Sequence, residues 1–369
     1  MMNKMIVANL THRPLRSLIS ILAIALEVTL ILLIVGLSMG MLNDSRKRQE
    51  GIGADVVVAP PGSSAMVGIT GAPAPIKVAD IIAKLPHVVS VAPVLMQLST
   101  AGNVELVYGI DLKSYDSITG GFRYLEGGPF QGPDDVLVDD IYARSNRVRA
   151  GDKIELLNHS FRVAGVVEHG MGARKFAPLA TMQELNGSQG KASYFYAKLD
   201  NVANASAVVD EIKNVPGMST YVVRSMKDWL SVMTPENTPG LSSFIRVVVG
   251  ISMIIGFMVI FQAMYTSVME RTREIGILKS IGASKVYIIN VILRESTLLS
   301  VCGIVVGVIF SELARLVILR RVFPSLPVEI SGGWIVRAVV IAIVEALAGA
   351  IYPALKAARK DPIEALAYE

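Results

Sequence analysis

The chain has 369 residues, 52% of them hydrophobic and only 18% charged, with a formal net charge of +4. Its mean hydropathy of +0.51 exceeds that of soluble globular chains. The basic residues sit at the ends of apolar runs, which argues against nucleic-acid binding, and the single cysteine, Cys302, leaves no intrachain disulfide to form.

The first predicted element is an apolar helix over Leu18–Leu42, interrupted by Glu27 and a few hydroxyls. A spanning helix needs about 20 mostly apolar residues to cross a hydrocarbon core of about 30 Å, and this one qualifies. Lys4, Arg13 and Arg16 precede it as they would a signal peptide. The run is too long for such a peptide's apolar region, and no convincing small-residue cleavage site follows, so it reads as a retained span.

From Asn43 to Gly240 the composition is that of a water-soluble domain. Val56–Ala59 reads as a strand stopped by Pro60, Pro61 and Gly62. Ile76–Leu85 has helical spacing, and Val88–Val94 follows as a strand. Asp135–Asp139, Lys153–Leu157 and Phe161–Val167 continue as strands; a helix is predicted over Ala203–Lys213 and a strand over Thr220–Val223. The mixture predicts an α+β domain, in one or two lobes, with linkers at Gly68–Pro75 and Thr234–Gly240. Three further spans follow: Val247–Tyr265, Val291–Phe310 with Arg294 and Glu295 at its start, and Trp334–Tyr352 carrying Arg337 and Glu345. The predicted fold is therefore four transmembrane helices with an extracytoplasmic α+β domain inserted between the first two. Residues 1–42 hold the N-terminal segment and first helix, 43–240 the inserted domain, and 241–369 the remaining helices with a loop at 269–285.

Orientation follows from the cationic residues beside the spans. Lys4, Arg13 and Arg16, then Arg271, Arg273, Lys279 and Lys285, then Lys356, Arg359 and Lys360 share one side, expected to be the cytoplasm. Arg46–Arg48 and Arg320–Arg321 oppose this, but the first set spans three separate regions. Both termini are then cytoplasmic.

The sequence offers no catalytic constellation. His87, His159 and His169 lack metal-ligand spacing, so no metal site is assigned. Asp134, Asp135, Asp139 and Asp140 bracket a short strand and read as turn carboxylates. No Gly-x-Ser-x-Gly elbow and no phosphate-cradling Gly-x-x-x-x-Gly-Lys-Ser/Thr pattern occurs. If nucleotide drives this protein, another chain is expected to hydrolyse it, and this chain binds no cofactor of its own.

Two features do point to function. Glu270-Arg-Thr-Arg-Glu-Ile-Gly-Ile-Leu-Lys-Ser-Ile-Gly-Ala-Ser284 is a short charged segment pinned between two spans. It can form an amphipathic helix with Ile275, Leu278 and Ile281 near one face, Arg271, Glu274 and Lys279 supplying charge elsewhere, and Gly282 as the stop. A segment so placed suits a force-transmitting protein, or else an interfacial helix lying on lipid head groups. The second feature is intramembrane charge. Glu27, Arg337 and Glu345 are costly near a bilayer centre and should face protein or water. Arg337 and Glu345, eight residues apart on one helix, are too far apart to pair, which leaves partners on other helices. Gly303 and Gly307 form a Gly-x-x-x-Gly spacing that permits close helix packing.

The charged segment resembles the motif of MacB-like and FtsX-like (type VII) ABC transporter permeases. Gly53-Ala-Asp-Val-Val-Val58 and Tyr352-Pro-Ala-Leu-Lys-Ala-Ala-Arg-Lys-Asp-Pro-Ile-Glu-Ala-Leu366 agree with it, as does the basic approach to the first helix. The resemblance implies a bacterial inner-membrane permease, a dimer of such chains on a dimer of ATPase subunits that bind ATP and Mg, and a periplasmic adaptor as a further partner. It implies export or extraction of an amphiphile by mechanotransmission, with an FtsX-like regulatory role as the alternative. It also implies that Glu270, Arg271, Arg273, Glu274, Ile275, Gly276, Leu278, Lys279, Gly282 and Ala283 belong to a helix that couples to the ATPase. Unlike the exporter that names the family, this sequence carries no fused nucleotide-binding domain, so the ATPase is expected to be a separate polypeptide.

Overall fold

The structure, a computed structural model, describes residues 14–63, 71–99, 105–319 and 325–361. Lys4, Arg13, Arg320 and Arg321, residues 68–70 of the Gly68–Pro75 linker and the last residues of the C-terminal motif lie outside them. The chain forms two compact units. Residues up to Gly40 and nearly all of the chain from Gly240 onward make one, and Met41–Pro239 make the other.

Helix α1 (Pro14–Glu50) outlasts the predicted first span by eight residues. No breaker occurs before Gly51, and Gly53 then turns the chain at φ +75°.

The inserted unit is built on one sheet. Its strands are β1 (Val56–Ala59), β3 (Val88–Ser99), β4 (Glu105–Ile110), β5 (Tyr124–Gly127), β6 (Asp135–Asp139), β7 (Lys153–Leu156), β8 (His159–Val167), β9 (Lys175–Pro178), β11 (Tyr194–Leu199) and β12 (Val222–Ser225). Their order is β12-β1-β11-β3-β4-β9-β6-β8-β5, with β7 on β8; β2 (Ala74–Pro75) and β10 (Lys191–Ala192) form a separate ribbon. The β4–β9 and β6–β8 pairs are parallel, and the other pairs are antiparallel. Period-2 alternation explains why β1 and most of β11 are buried on both faces. Val57, Tyr194 and Tyr196 point into an aromatic core with Tyr108, Tyr115, Phe122, Phe176 and Trp229, whereas Val56, Val58 and Phe195 point into a second core on the other side. Val136, Val138, Phe161 and Val163 fill a third. The domain is thus a single sheet with one continuous core and a divided opposite face.

Short helices close the sheet: α2 (Lys77–Ile82), α3 (Leu112–Thr119), α4 (Asp140–Asn146), α5 (Leu179–Leu185), α6 (Ala205–Asn214) and α7 (Met226–Ser231). Asp111, Asp139 and Ser225 cap α3, α4 and α7 by accepting from the N–H groups of Ser114, Tyr142 and Asp228. The aspartates flanking β6 are turn and cap carboxylates, as the sequence suggested. Asp134 faces His159, Asp135 pairs with Arg162, and Asp140 pairs with Arg144 and His169.

The other unit contains α8 (Leu241–Glu270), α9 (Thr272–Ser280), α10 (Lys285–Leu313) and α11 (Gly332–Arg359), together with the first part of α1. The shortest of the four long helices, α11, has 28 residues and spans about 42 Å at about 1.5 Å per residue, enough to cross about 30 Å of hydrocarbon. Small residues set the packing. Ala338, Ala342, Ala346, Ala350 and Ala354 form a buried stripe on α11, and Ser296 and Ser300 of α10 donate to the Ala346 and Ala342 carbonyls at 2.7 and 3.1 Å. A Cβ at Gly303 would stand 2.6 Å from Ile24 Cβ, and one at Gly307 would stand 2.7 Å from the Ala25 carbonyl oxygen. The Gly-x-x-x-Gly spacing therefore seats α10 against α1. Ile254, Ile255, Met258 and Val344 point outward, the apolar exterior that lipid requires.

Candidate functional site

The charged segment folds as α9, held between two sharply defined ends. Arg271 separates it from α8 at φ −107°, ψ 20°. At the other end Gly282 takes φ +102°. The Gly282 N–H donates to the Lys279 carbonyl and the Ala283 N–H to the Leu278 carbonyl, both at 3.0 Å. These two bonds make a Schellman closure, and Leu278 and Ala283 both pack on the membrane core. Ser284 then caps α10 through the Tyr287 N–H at 3.2 Å. The turn chemistry of two consecutive helices is complete within this short stretch.

Helix α9 has two faces. Thr272 and Gly276 are buried, and Ile275 and Leu278 pack on the membrane core. Arg273, Glu274 and Ile277 are exposed along the opposite side, while Glu270, expected in this helix, is the exposed last residue of α8. Ile281, grouped by sequence with Ile275 and Leu278, is instead 80% exposed; it lies where the helix ends, and the turn at Gly282 carries it off the packed face. Lys279 also departs from its expected place among the outward charges. Its ammonium donates to the Ala358 carbonyl at 3.0 Å and to the Lys360 carbonyl. Orphan carbonyls at a helix C-terminus carry partial negative charge, so Lys279 ties α9 to the end of α11.

A second tie runs to α10. The Arg271 guanidinium donates to Glu295 Oε2 at 3.1 Å, with side chains only 12% and 4% exposed. At that depth the geometry holds because each charge answers the other. Glu295 read in the sequence only as a polar start to the third span. The signal that could have revealed it is its spacing: Glu295, Ser296, Leu299, Ser300 and Gly303 form a buried stripe on α10. Between α9 and the ends of α8 and α10 lies a cavity of about 320 Å³, lined by Met264, Leu278 and Ile292 with Arg271, Glu274 and Glu295.

The intramembrane charges separate into two kinds. Arg337, expected to meet a partner on another helix, instead stacks its guanidinium over Trp334 of its own helix, 4.7 Å from the ring centre. Glu27 and Glu345, buried to 6% and 4% exposure, face each other. Gly256 of α8 completes their niche, since a Cβ there would collide with Oε2 of both glutamates. The sequence required interhelical partners for these residues but gave no sign that each glutamate's partner is the other. Among the described residues no group of three metal-ligating side chains occurs. His87, His159 and His169 each face an aspartate at the surface.

Comparison with known proteins agrees with this architecture. The MacB-like periplasmic core domain matches residues 17–215, and the FtsX-like permease C-terminal domain matches 246–362. The chain is 30% identical over 231 residues to the uncharacterized ABC transporter permease YknZ of Bacillus subtilis, covering 59% of this chain and 55% of that protein. It is 26% identical over 392 aligned positions to the macrolide export ATP-binding/permease protein MacB of Neisseria meningitidis, covering 98% of this chain and 60% of that one. The chain thus spans less than two thirds of the length of these relatives. Against the crystal structure of the periplasmic region of MacB from Actinobacillus actinomycetemcomitans the TM-score is 0.38 at 18% identity, over 52% of this chain and 97% of that one.

Proposed function

Because the chain belongs to the MacB/FtsX-like family of ABC transporter permeases, we propose that it is a permease subunit whose helix α9 receives the stroke of a separate ATPase. The observation that carries this reading is the pair of ties on α9. Arg271 binds it to α10 and Lys279 binds it to the end of α11, while Arg273, Glu274, Ile277 and Ile281 remain exposed for a partner. A push on the exposed face would therefore move two spans together. The basic residues flanking α9 and α11 favour a cytoplasmic side for both, with the 41–239 domain on the outer side of a bacterial inner membrane. Two such chains would sit on two ATPase subunits that bind ATP and Mg. The work delivered would drive export or extraction of an amphiphile at the outer domain or outer leaflet, by mechanotransmission, with a periplasmic adaptor as a further partner.

The two faces of α9 give separable tests, read on the full chain and the ATPase that co-purifies with it from membranes. Arg273→Glu with Glu274→Lys should abolish co-purification while leaving membrane insertion intact. Lys279→Ala should keep the ATPase bound but lower stimulated hydrolysis at least tenfold. Undiminished ATPase recovery with the first variant would refute α9 as the docking element. Unchanged hydrolysis with the second would refute the tie to α11 as part of the stroke.

A further inference from the structure

The buried glutamates are not explained by coupling to an ATPase. Gly256 and Glu345 lie at the midpoints of helices of 30 and 28 residues, where an apolar exterior offers no water. Among the described residues, none of the four carboxyl oxygens of Glu27 and Glu345 has a hydrogen-bond partner other than the facing carboxyl. The following polar groups on the helices around them bond elsewhere or lie exposed. On α1, Thr29 donates to the Ala25 and Gly307 carbonyls. On α8, Arg246 binds Ser242 and Ser243, and Tyr265 accepts from Lys356. On α10, Ser296 and Ser300 are committed to α11 carbonyls, Glu295 is held by Arg271, Arg294 is exposed and Cys302 is half-buried. On α11, Arg337 rests on Trp334.

Two like charges in contact inside a low-dielectric core repel strongly, and neither can be left without a counter-charge. The occupant that resolves this must be positive and small. A metal ion such as calcium wants about six to eight oxygen ligands, and the two carboxyls supply at most four. A proton needs only the two oxygens that face one another. We propose that Glu27 and Glu345 form a proton-binding carboxyl dyad, one acid donating to the other carboxylate, that clamps α1 to α11 across Gly256 of α8. The two carboxyls fill the space that a side chain at position 256 would otherwise take. The clamp is independent of the ATPase reading, because it lies wholly among the spans and involves no residue of α9.

The full chain in lipid vesicles, studied by infrared spectroscopy at pH 8, tests this directly. At that pH exposed carboxyls are ionised, and so is Asp139, whose burial raises it only to about 6. The expected result is a carbonyl stretching band of a protonated carboxylic acid that shifts in heavy water and is absent from Glu27→Gln/Glu345→Gln. Replacing sodium and potassium by choline should leave the band unchanged. If the double variant fails to insert, wild-type chain carrying ¹³C at the glutamate δ-carbons should shift the same band. Absence of the band in the wild type, its survival in the double variant, its failure to shift with the label, or its loss on adding sodium would each overturn the proton dyad.

Discussion

Two buried aspartates of the inserted domain and the two facing glutamates of the spans are handled in opposite ways. In the inserted domain, Asp55 and Asp135 are answered by donors. Asp55 accepts from the Leu199 N–H at 2.9 Å and pairs with Lys198 at 3.3 Å. Asp135 accepts from the Gln131 and Gly132 N–H groups and from Arg162. Burial opposes its charge, but these donors together hold its carboxyl below the ordinary range. Among the described residues of the spans, Glu27 and Glu345 have only each other. A domain folding in water can recruit turn amides and long cations from its surface. A helix in hydrocarbon has already spent its amides on its own backbone, so only side chains and small occupants remain to satisfy a carboxyl. Intramembrane acids therefore report a designed contact more reliably than acids in the outer domain.

The largest expected effect breaks this contrast at its tightest point. Gly256→Val should destabilise the bundle by about 3 kcal/mol or more, because its side chain must displace both carboxyls. Gly250→Ala, on the same helix with open space around it, should cost nothing and gain up to about 1 kcal/mol. Thermal unfolding of the two variants in one detergent decides this; equal losses would mean that position 256 is not filled by the glutamates.

Next in size is the outer domain's own arrangement. Asp55→Ala strands the buried Leu199 amide and should cost about 2 kcal/mol, read as faster hydrogen exchange across β1 and β11 in the full chain. Protection unchanged from wild type would show that the carboxylate contributes nothing there.

The smallest effect sharpens the comparison through pH. Desolvation raises Asp139 from 3.8 to about 6, against the opposing pull of Arg174 and the Tyr142 amide. The folded state thus holds this proton more tightly than the unfolded chain. Its contribution is greatest below about pH 4 and is lost as pH rises towards about 6. Asp139→Asn keeps the cap on α4 and should flatten that slope, measured as the pH dependence of exchange at Val136–Val138. A slope identical to wild type would assign the titration to another group.

Much of the site was legible in the chain. Gly282 announced where α9 stops, since a left-handed glycine ends a helix locally, whereas α10 begins at the Ser284 cap, ahead of the predicted start at Val291. Gly303 and Gly307 announced a close helix contact, though not that its partner would be Ile24, Ala25 and Val28. The hydrophobic face of α9 was legible only in part. Ile275 and Leu278 pack inward, whereas Ile281 turns out because the chain reverses beside it. Lys279 looked like a surface charge, and nothing local to it could reveal the free carbonyls of a helix end far along the chain.

Sequence alone determined the four apolar helices, the inserted α+β unit and the stop of α9 at Gly282, because apolar length, alternation and capping are properties of neighbouring residues. Tertiary structure decided which charges meet: Arg271 with Glu295, Lys279 with the end of α11, and Glu27 with Glu345 over Gly256. Those meetings depend on how each helix is rotated about its axis and how closely small residues let it approach, and both are fixed only when the whole bundle packs.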